Sequence, residues 1–190
     1  MKTILVSGAS NLIGYGVLNS LRCKEELKLI GMTMYRRSVA PAFCDALEIV
    51  PKTLEPDYLP TLISIIKKYN VDMLIPSFED DVICWNQHSK ELMALGTFPL
   101  LNNPELITLC VNKWAFYEKL KGSKGAEYAI PTFITQNFDT LPTPFLIKPI
   151  RGWGSRGIVK IKDIESFNKH KNDIGSIYIM QPIEIGRAHV

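Results

Sequence analysis

The apolar positions fall into two alternating rhythms over the first hundred residues. Lys2 to Ser7 (KTILVS) is near-continuously apolar, as expected of a strand buried on both faces. Gly8 to Gly16 (GASNLIGYG) follows as a glycine turn, and Leu12, Val17 and Leu21 recur at helical spacing. Leu27 to Met34 reads as a second strand. Leu59, Leu62, Ile63, Ile65 and Ile66 mark an amphipathic helix ending at Tyr69, with Lys67 and Lys68 placed to suit its C-terminal dipole. Asp72 to Pro76 is a further buried strand, Val82 to Leu95 a helix, and Pro99 to Leu101 a short strand. Alternating strands and helices predict a doubly wound parallel sheet. Prolines 41, 51, 56 and 60 make the connection between the second strand and the Leu59 helix long and irregular.

From Asn102 the pattern changes. Asn102, Asn103 and Pro104 form a turn, and Pro104 can open a helix. Asn112 precedes a second helix, KWAFYEKLK, which Gly122 to Gly125 end. Lys113 stands at its start, where a cation is unfavourable for the dipole, and this suggests a task for its charge. Pro131 to Thr135 reads as a strand. Phe145 to Ile147 and Ile158 to Ile161 form two arms of a hairpin. A polar helix over Ile164 to Lys171 and a strand over Ile177 to Met180 follow.

The tip of that hairpin carries the most suggestive chemistry. Lys148 and Pro149 end the first arm. Gly152, Gly154 and Gly157 then interleave with Arg151, Ser155 and Arg156. Glycine lets backbone N–H groups turn toward an anion, and the lysine and arginines add charge and forked donors. The spacing differs from that of a P-loop, and no helix start follows it. A solvated surface hairpin is the alternative.

The composition is that of a globular chain: 190 residues, 46% hydrophobic, 22% charged, net charge +3. That charge is too small and too dispersed to argue for nucleic acid. No apolar run is long enough to span a membrane, and no signal peptide is evident. Cys23, Cys44, Cys84 and Cys110 lack metal-ligand spacing and read as core-filling thiols in a reducing cytoplasm. No metal site is expected.

The Gly8 to Gly16 turn lacks the intervening glycine of a dinucleotide fingerprint, Asn11 standing in its place. Tyr35, Arg36 and Arg37 end the second strand where an acid would hold a free ribose. An NAD(P)-dependent oxidoreductase or epimerase would also use a tyrosine and a lysine four residues apart on one helix; Tyr15, Tyr69 and Tyr128 have no such lysine. A turn that packs strand against helix is the favoured reading.

Four motifs in register resemble the ATP-grasp ligases: Asn112-Lys113, Lys148-Pro149, Gly152 to Gly157, and Tyr178 to Gln181. The branch resembled most is that of the carbamoyl-phosphate synthase large subunit. The resemblance implies a Rossmann-like domain over 1–102. It also implies a partial ATP-grasp domain over 103–184, comprising a linker helix and the small α+β lobe that covers ATP. Lys113 and Lys148 match the lysines that contact ATP phosphates, and Gly152, Gly154, Ser155, Arg156 and Gly157 match the closing loop. Gln181 and Ile183 match the hinge residues at the adenine, and Glu79 and Asp80 lie where the N-terminal domain faces a carboxylate substrate. Trp153 and Arg156 depart from the commoner loop residues. The implied activity is an ATP-dependent carboxylate–amine ligation through an acyl phosphate, with ATP and a small carboxylate as partners. A non-catalytic nucleotide-binding module remains the other reading. Magnesium ligands are expected beyond Glu184, so this stretch alone is expected to be C-terminally truncated and inactive. The final residues, IGRAHV, match one reading frame of a common sequencing adapter. Residues 185–190 are therefore expected to be a non-native tail, and Arg187 and His189 are set aside.

Overall fold

The computed structural model describes residues 1–152 and 154–184; Trp153 and the 185–190 stretch, with Arg187 and His189, lie outside the described residues. The chain forms two compact units, Met1–Ile107 and one from Thr108 onward.

The first unit contains β1 (Lys2–Val6), α1 (Leu12–Leu21), β2 (Leu27–Thr33), β3 (Ala46–Ile49), α2 (Tyr58–Tyr69), β4 (Met73–Ile75), α3 (Glu79–Gln87), α4 (Ser89–Ala94) and β5 (Phe98–Pro99). Its sheet is parallel throughout, in the order β3-β2-β1-β4-β5. The apolar runs in β1 and β2 are explained by cover on both faces. Ile4, Val6 and Leu29 pack with Leu18 of α1. Leu5, Ile30 and Met32 face the other way, onto Leu62, Ile65 and Ile66 of α2 and Trp85 of α3.

The strand β3 falls within the stretch read as an irregular connection. It is a short edge strand with no fully buried residue, so it lacks the two-sided apolar run that marked its neighbours. Its Glu48 accepts hydrogen bonds from Lys68 Nζ at 2.7 Å and Tyr69 Oη at 2.6 Å. The helix expected over Val82 to Leu95 begins at Glu79 and breaks at His88, giving α3 and α4. The cysteine expectation needs correction: Cys23 and Cys110 are exposed, Cys44 and Cys84 are half-buried, and all four are free thiols. Apolar neighbours in sequence do not decide which face a side chain takes.

The division between the units falls within α5 (Pro104–Cys110). The second unit contains α6 (Lys113–Lys121), β6 (Phe145–Pro149), β7 (Val159–Ile161), α7 (Ile164–Asn168) and β8 (Tyr178–Pro182). Its antiparallel sheet runs β7-β6-β8. Phe145, Ile147, Ile161 and Met180 lie on one face and pack with Phe167 of α7 and Leu141. The expected strand at Pro131 to Thr135 reduces to a single bridge, Phe133 to Met180. The expected polar helix stops at Asn168, after a capping box in which Asp163 Oδ1 accepts from Ser166 N at 2.8 Å.

Candidate nucleotide-binding site

Two glycine-rich loops were candidates, and they are built differently. In the first unit Gly8 adopts φ +55°. Asn11 caps α1, its Oδ1 accepting from Gly14 N at 2.7 Å, and its Nδ2 donates to Ser77 Oγ at 3.1 Å. Ser77 Oγ in turn donates to Ser7 O at 2.6 Å. A Cβ on Gly14 would stand 2.3 Å from Gly8 O, so helix and turn are in backbone contact. Asn11 Nδ2 would stand 2.6 Å from a Cβ on Gly8, so its side chain packs into the turn where a dinucleotide fingerprint has a glycine. Tyr35, Arg36 and Arg37 are exposed at the end of β2. Tyr117 and Lys121 do have the four-residue spacing of an oxidoreductase pair, on α6. That helix belongs to the second unit, and Lys121 Nζ is engaged with Glu118 at 2.8 Å.

In the second unit the hairpin tip joins β6 to β7. Gly152, Gly154, Ser155 and Gly157 all have positive φ, at 128°, 64°, 58° and 73°. Such residues let the loop curl and present amide groups to its concave side. A cavity of about 200 Å³ is lined by Lys113, Lys148, Pro149, Gly152, Gly154, Ser155, Arg156 and Ile158. This is smaller than the about 300–1,000 Å³ typical of pockets that enclose a whole small ligand.

The two lysines reach the cavity from different elements. Lys148 lies on the β6 face opposite the apolar core, paired with Ile179 of β8. Lys113 is set by the start of α6. Asn112 Oδ1 caps that helix, accepting from Trp114 N at 3.1 Å and Ala115 N at 3.0 Å. Lys113 N donates to Ile150 O at 2.9 Å, and Lys113 Nζ donates to Gly152 O at 2.6 Å. Burial, and then the charge of Lys113, hold the Lys148 ammonium below the usual lysine range. An anion between the two would relieve both penalties.

The structure thus brings Lys113, Lys148, Gly152, Gly154, Ser155 and Arg156 to one cavity. Gly157 is not in its lining; a Cβ there would meet Pro149 Cγ at 2.9 Å, so it lets the returning arm pass close to β6. Gln181 and Ile183 also lie outside the lining. Gln181 pairs with Leu146 on the sheet face that carries Lys148, and its Nε2 donates to Thr132 Oγ1 at 2.6 Å. Ile183 follows β8 and is half-buried. Thr132 was missed because nothing local marks a partner 49 residues away. Glu79 and Asp80 are half-buried in the first turn of α3, at the C-terminal end of the first sheet. Among the described residues no group of three His, Cys, Asp or Glu side chains could hold a metal ion. No helix of the described residues is long and apolar enough to cross a membrane.

Residues 19–101 match the family described as PylC-like, N-terminal domain. No curated protein sequence matches the chain. Among solved structures, N5-carboxyaminoimidazole ribonucleotide synthetase from Thermotoga maritima is 19% identical with a TM-score of 0.62, covering 96% of this chain and 46% of that one. The biotin carboxylase domain of 2-oxoglutarate carboxylase from Hydrogenobacter thermophilus, in complex with MgADP, ADP and bicarbonate, is 15% identical with a TM-score of 0.65, covering 97% and 44%. L-amino acid ligase from Bacillus licheniformis is 13% identical with a TM-score of 0.63, covering 98% and 45%. At these identities the likeness is one of fold, and the chain spans about half the length of those structures. The fold is that of the N-terminal portion of those structures.

Proposed function

We propose that this chain is the ATP-binding portion of an ATP-dependent carboxylate–amine ligase, acting through an acyl phosphate. The carrying observation is the cavity that joins Lys113, Lys148 and the loop of left-handed residues. Lys113 and Lys148 hold the polyphosphate and offset the charge that builds on the transferred group. The amide groups of Gly152 to Gly157 close over it and exclude water from the acyl phosphate. Gln181, held by Thr132, and the backbone at Ile183 take the adenine side. Glu79 and Asp80 face the carboxylate substrate.

In the proposed reaction a carboxylate oxygen attacks the γ-phosphorus and the bond to the β-phosphate oxygen breaks, giving ADP. The amine then attacks the acyl carbon and phosphate leaves with the electron pair. Magnesium bound with the nucleotide would neutralise phosphate charge; no described residue is assigned to it. The four free thiols suit a reducing cytoplasm.

Limited trypsin digestion tests this reading. MgATP is expected to slow cleavage after Arg151 and Arg156 several-fold, while NADPH leaves it unchanged. Protection by NADPH, or none by MgATP, overturns it.

A further inference from the structure

Lys148 stands apart from the other lysines in its setting. Lys2, Lys68, Lys121 and Lys169 pair with carboxylates at the surface. Lys148 is half-buried on β6, and among the described residues its Nζ has neither a hydrogen-bond acceptor nor a carboxylate partner. The charged group beside it is another cation, Lys113, whose Nζ is engaged by Gly152 O at 2.6 Å. Burial, and then that neighbouring charge, favour the neutral amine of Lys148. A neutral amine has a free electron pair that an ammonium lacks. Desolvation next to a second cation is a general way of making a lysine nucleophilic.

The cavity of about 200 Å³ decides what that amine can meet. No Asp or Glu is in its lining, so an entering anion is not repelled. Lys113 offers a charge, and a Cβ on Gly154 would meet nothing within 4 Å, so an anion can approach the loop backbone directly. The side chains of Pro149 and Ile158 give the same cavity an apolar wall. These features suit a small molecule with phosphate at one end and an electrophilic carbon near Lys148. In an acyl phosphate the phosphate is also the leaving group, and Lys113 stabilises the negative charge that grows on it as it departs. A phosphorylated aldehyde would gain nothing from that second effect.

We propose that Lys148 is a modification site, acylated by small acyl phosphates that dock their phosphate on Lys113 and the glycine loop. The Lys148 nitrogen attacks the carbonyl carbon, and the bond from that carbon to the phosphate oxygen breaks. Phosphate leaves with the electron pair and takes up the proton lost by the amine. The product amide is neutral, so one of the two lysine charges of the cavity is removed. The inference rests on the reading of this cavity as a phosphate site, and it needs neither a nucleotide nor ligase turnover.

The test incubates the chain with acetyl phosphate and follows acetylation of each lysine by peptide mass spectrometry. Lys148 is expected to react about tenfold faster than the exposed Lys52, Lys90 and Lys160. Pyrophosphate is expected to slow the reaction at Lys148 several-fold and leave those exposed lysines unaffected. Lys113→Met slows it likewise, since the phosphate anchor and the neighbouring charge are both lost. The N-hydroxysuccinimide ester of acetate, which carries no phosphate, shows a smaller preference for Lys148. Near-UV circular dichroism checks the fold of Lys113→Met, and if that variant does not fold, competition by pyrophosphate on the unsubstituted chain decides. Lys148 reacting no faster than the exposed lysines, a rate unaltered by pyrophosphate, or an equal preference with the ester overturns the proposal. Protection by pyrophosphate with none by MgATP supports the modification site and overturns only the nucleotide reading.

Discussion

The two glycine loops, Gly8–Gly16 and Gly152–Gly157, look alike as strings and differ in what stands beside their α-carbons. At Gly8 and Gly14 an added Cβ would meet Ser77 Oγ and Gly8 O, each at 2.3 Å. At Gly154 it would meet nothing within 4 Å. At Gly8 and Gly14, two of the first loop's three glycines, backbone and side chains already fill the space; a Cβ on Gly16, inside α1, would meet nothing within 4 Å. In the second, Gly152 and Gly154 border space that has been left open, with two lysines beside it, while Gly157 lets the returning arm pass close to Pro149. Glycine count alone therefore says little about ligand binding. What matters is whether the freed volume is occupied by the protein, as Asn11 and Ser77 occupy it in the first loop.

That contrast can be broken by substitution. Gly14→Ala is expected to cost about 3 kcal/mol in urea unfolding, since its Cβ meets backbone that cannot yield cheaply. Asn11→Ala removes a helix cap and the link to Ser77, for a loss of about 1 kcal/mol by the same measurement. Gly154→Ala has no clash. Its positive φ costs about 1 kcal/mol, partly offset by the stiffer unfolded chain, so its net effect on stability is under about 1 kcal/mol. A Gly154→Ala loss as large as that of Gly14→Ala would erase the distinction.

A subtler test uses pH. Folding holds Lys148 below the usual lysine range, so the unfolded chain keeps its proton more tightly. The penalty is present at neutral pH and is relieved as pH rises toward the ordinary value of about 10.4. Through this group stability rises with pH in that window, while affinity for a polyphosphate falls as the charge is lost. Lys148→Met should flatten both trends, measured as Tm and as nucleotide affinity from pH 7 to 10.

The parallel sheet was legible because β1, β2 and β4 are covered on both faces and read as largely apolar runs. The edge strand β3 was not, since its half-exposed residues and bracketing Pro41 and Pro51 carry no such run. In the second unit Lys113 and Lys148 were legible from their unusual settings, at a helix start and before a proline. Their shared cavity depends on the Asn112 cap and on the register of β6 with β8, which no local pattern reveals. Asp81 shows the same limit. Three consecutive acids, Glu79, Asp80 and Asp81, are equivalent as letters, and only packing against Tyr58 and Trp85 sets the third apart.

The central claim is that the second loop holds a polyphosphate between two lysines. Calorimetric titration of the chain with MgATP, alongside Lys113→Met and Lys148→Met, tests it most directly. Saturable binding competed by ADP is expected, weakened about tenfold by either substitution, which is about 1.4 kcal/mol each, with Tm not lowered. Absence of binding to the folded chain, or MgATP affinity indifferent to both lysines, would contradict the account.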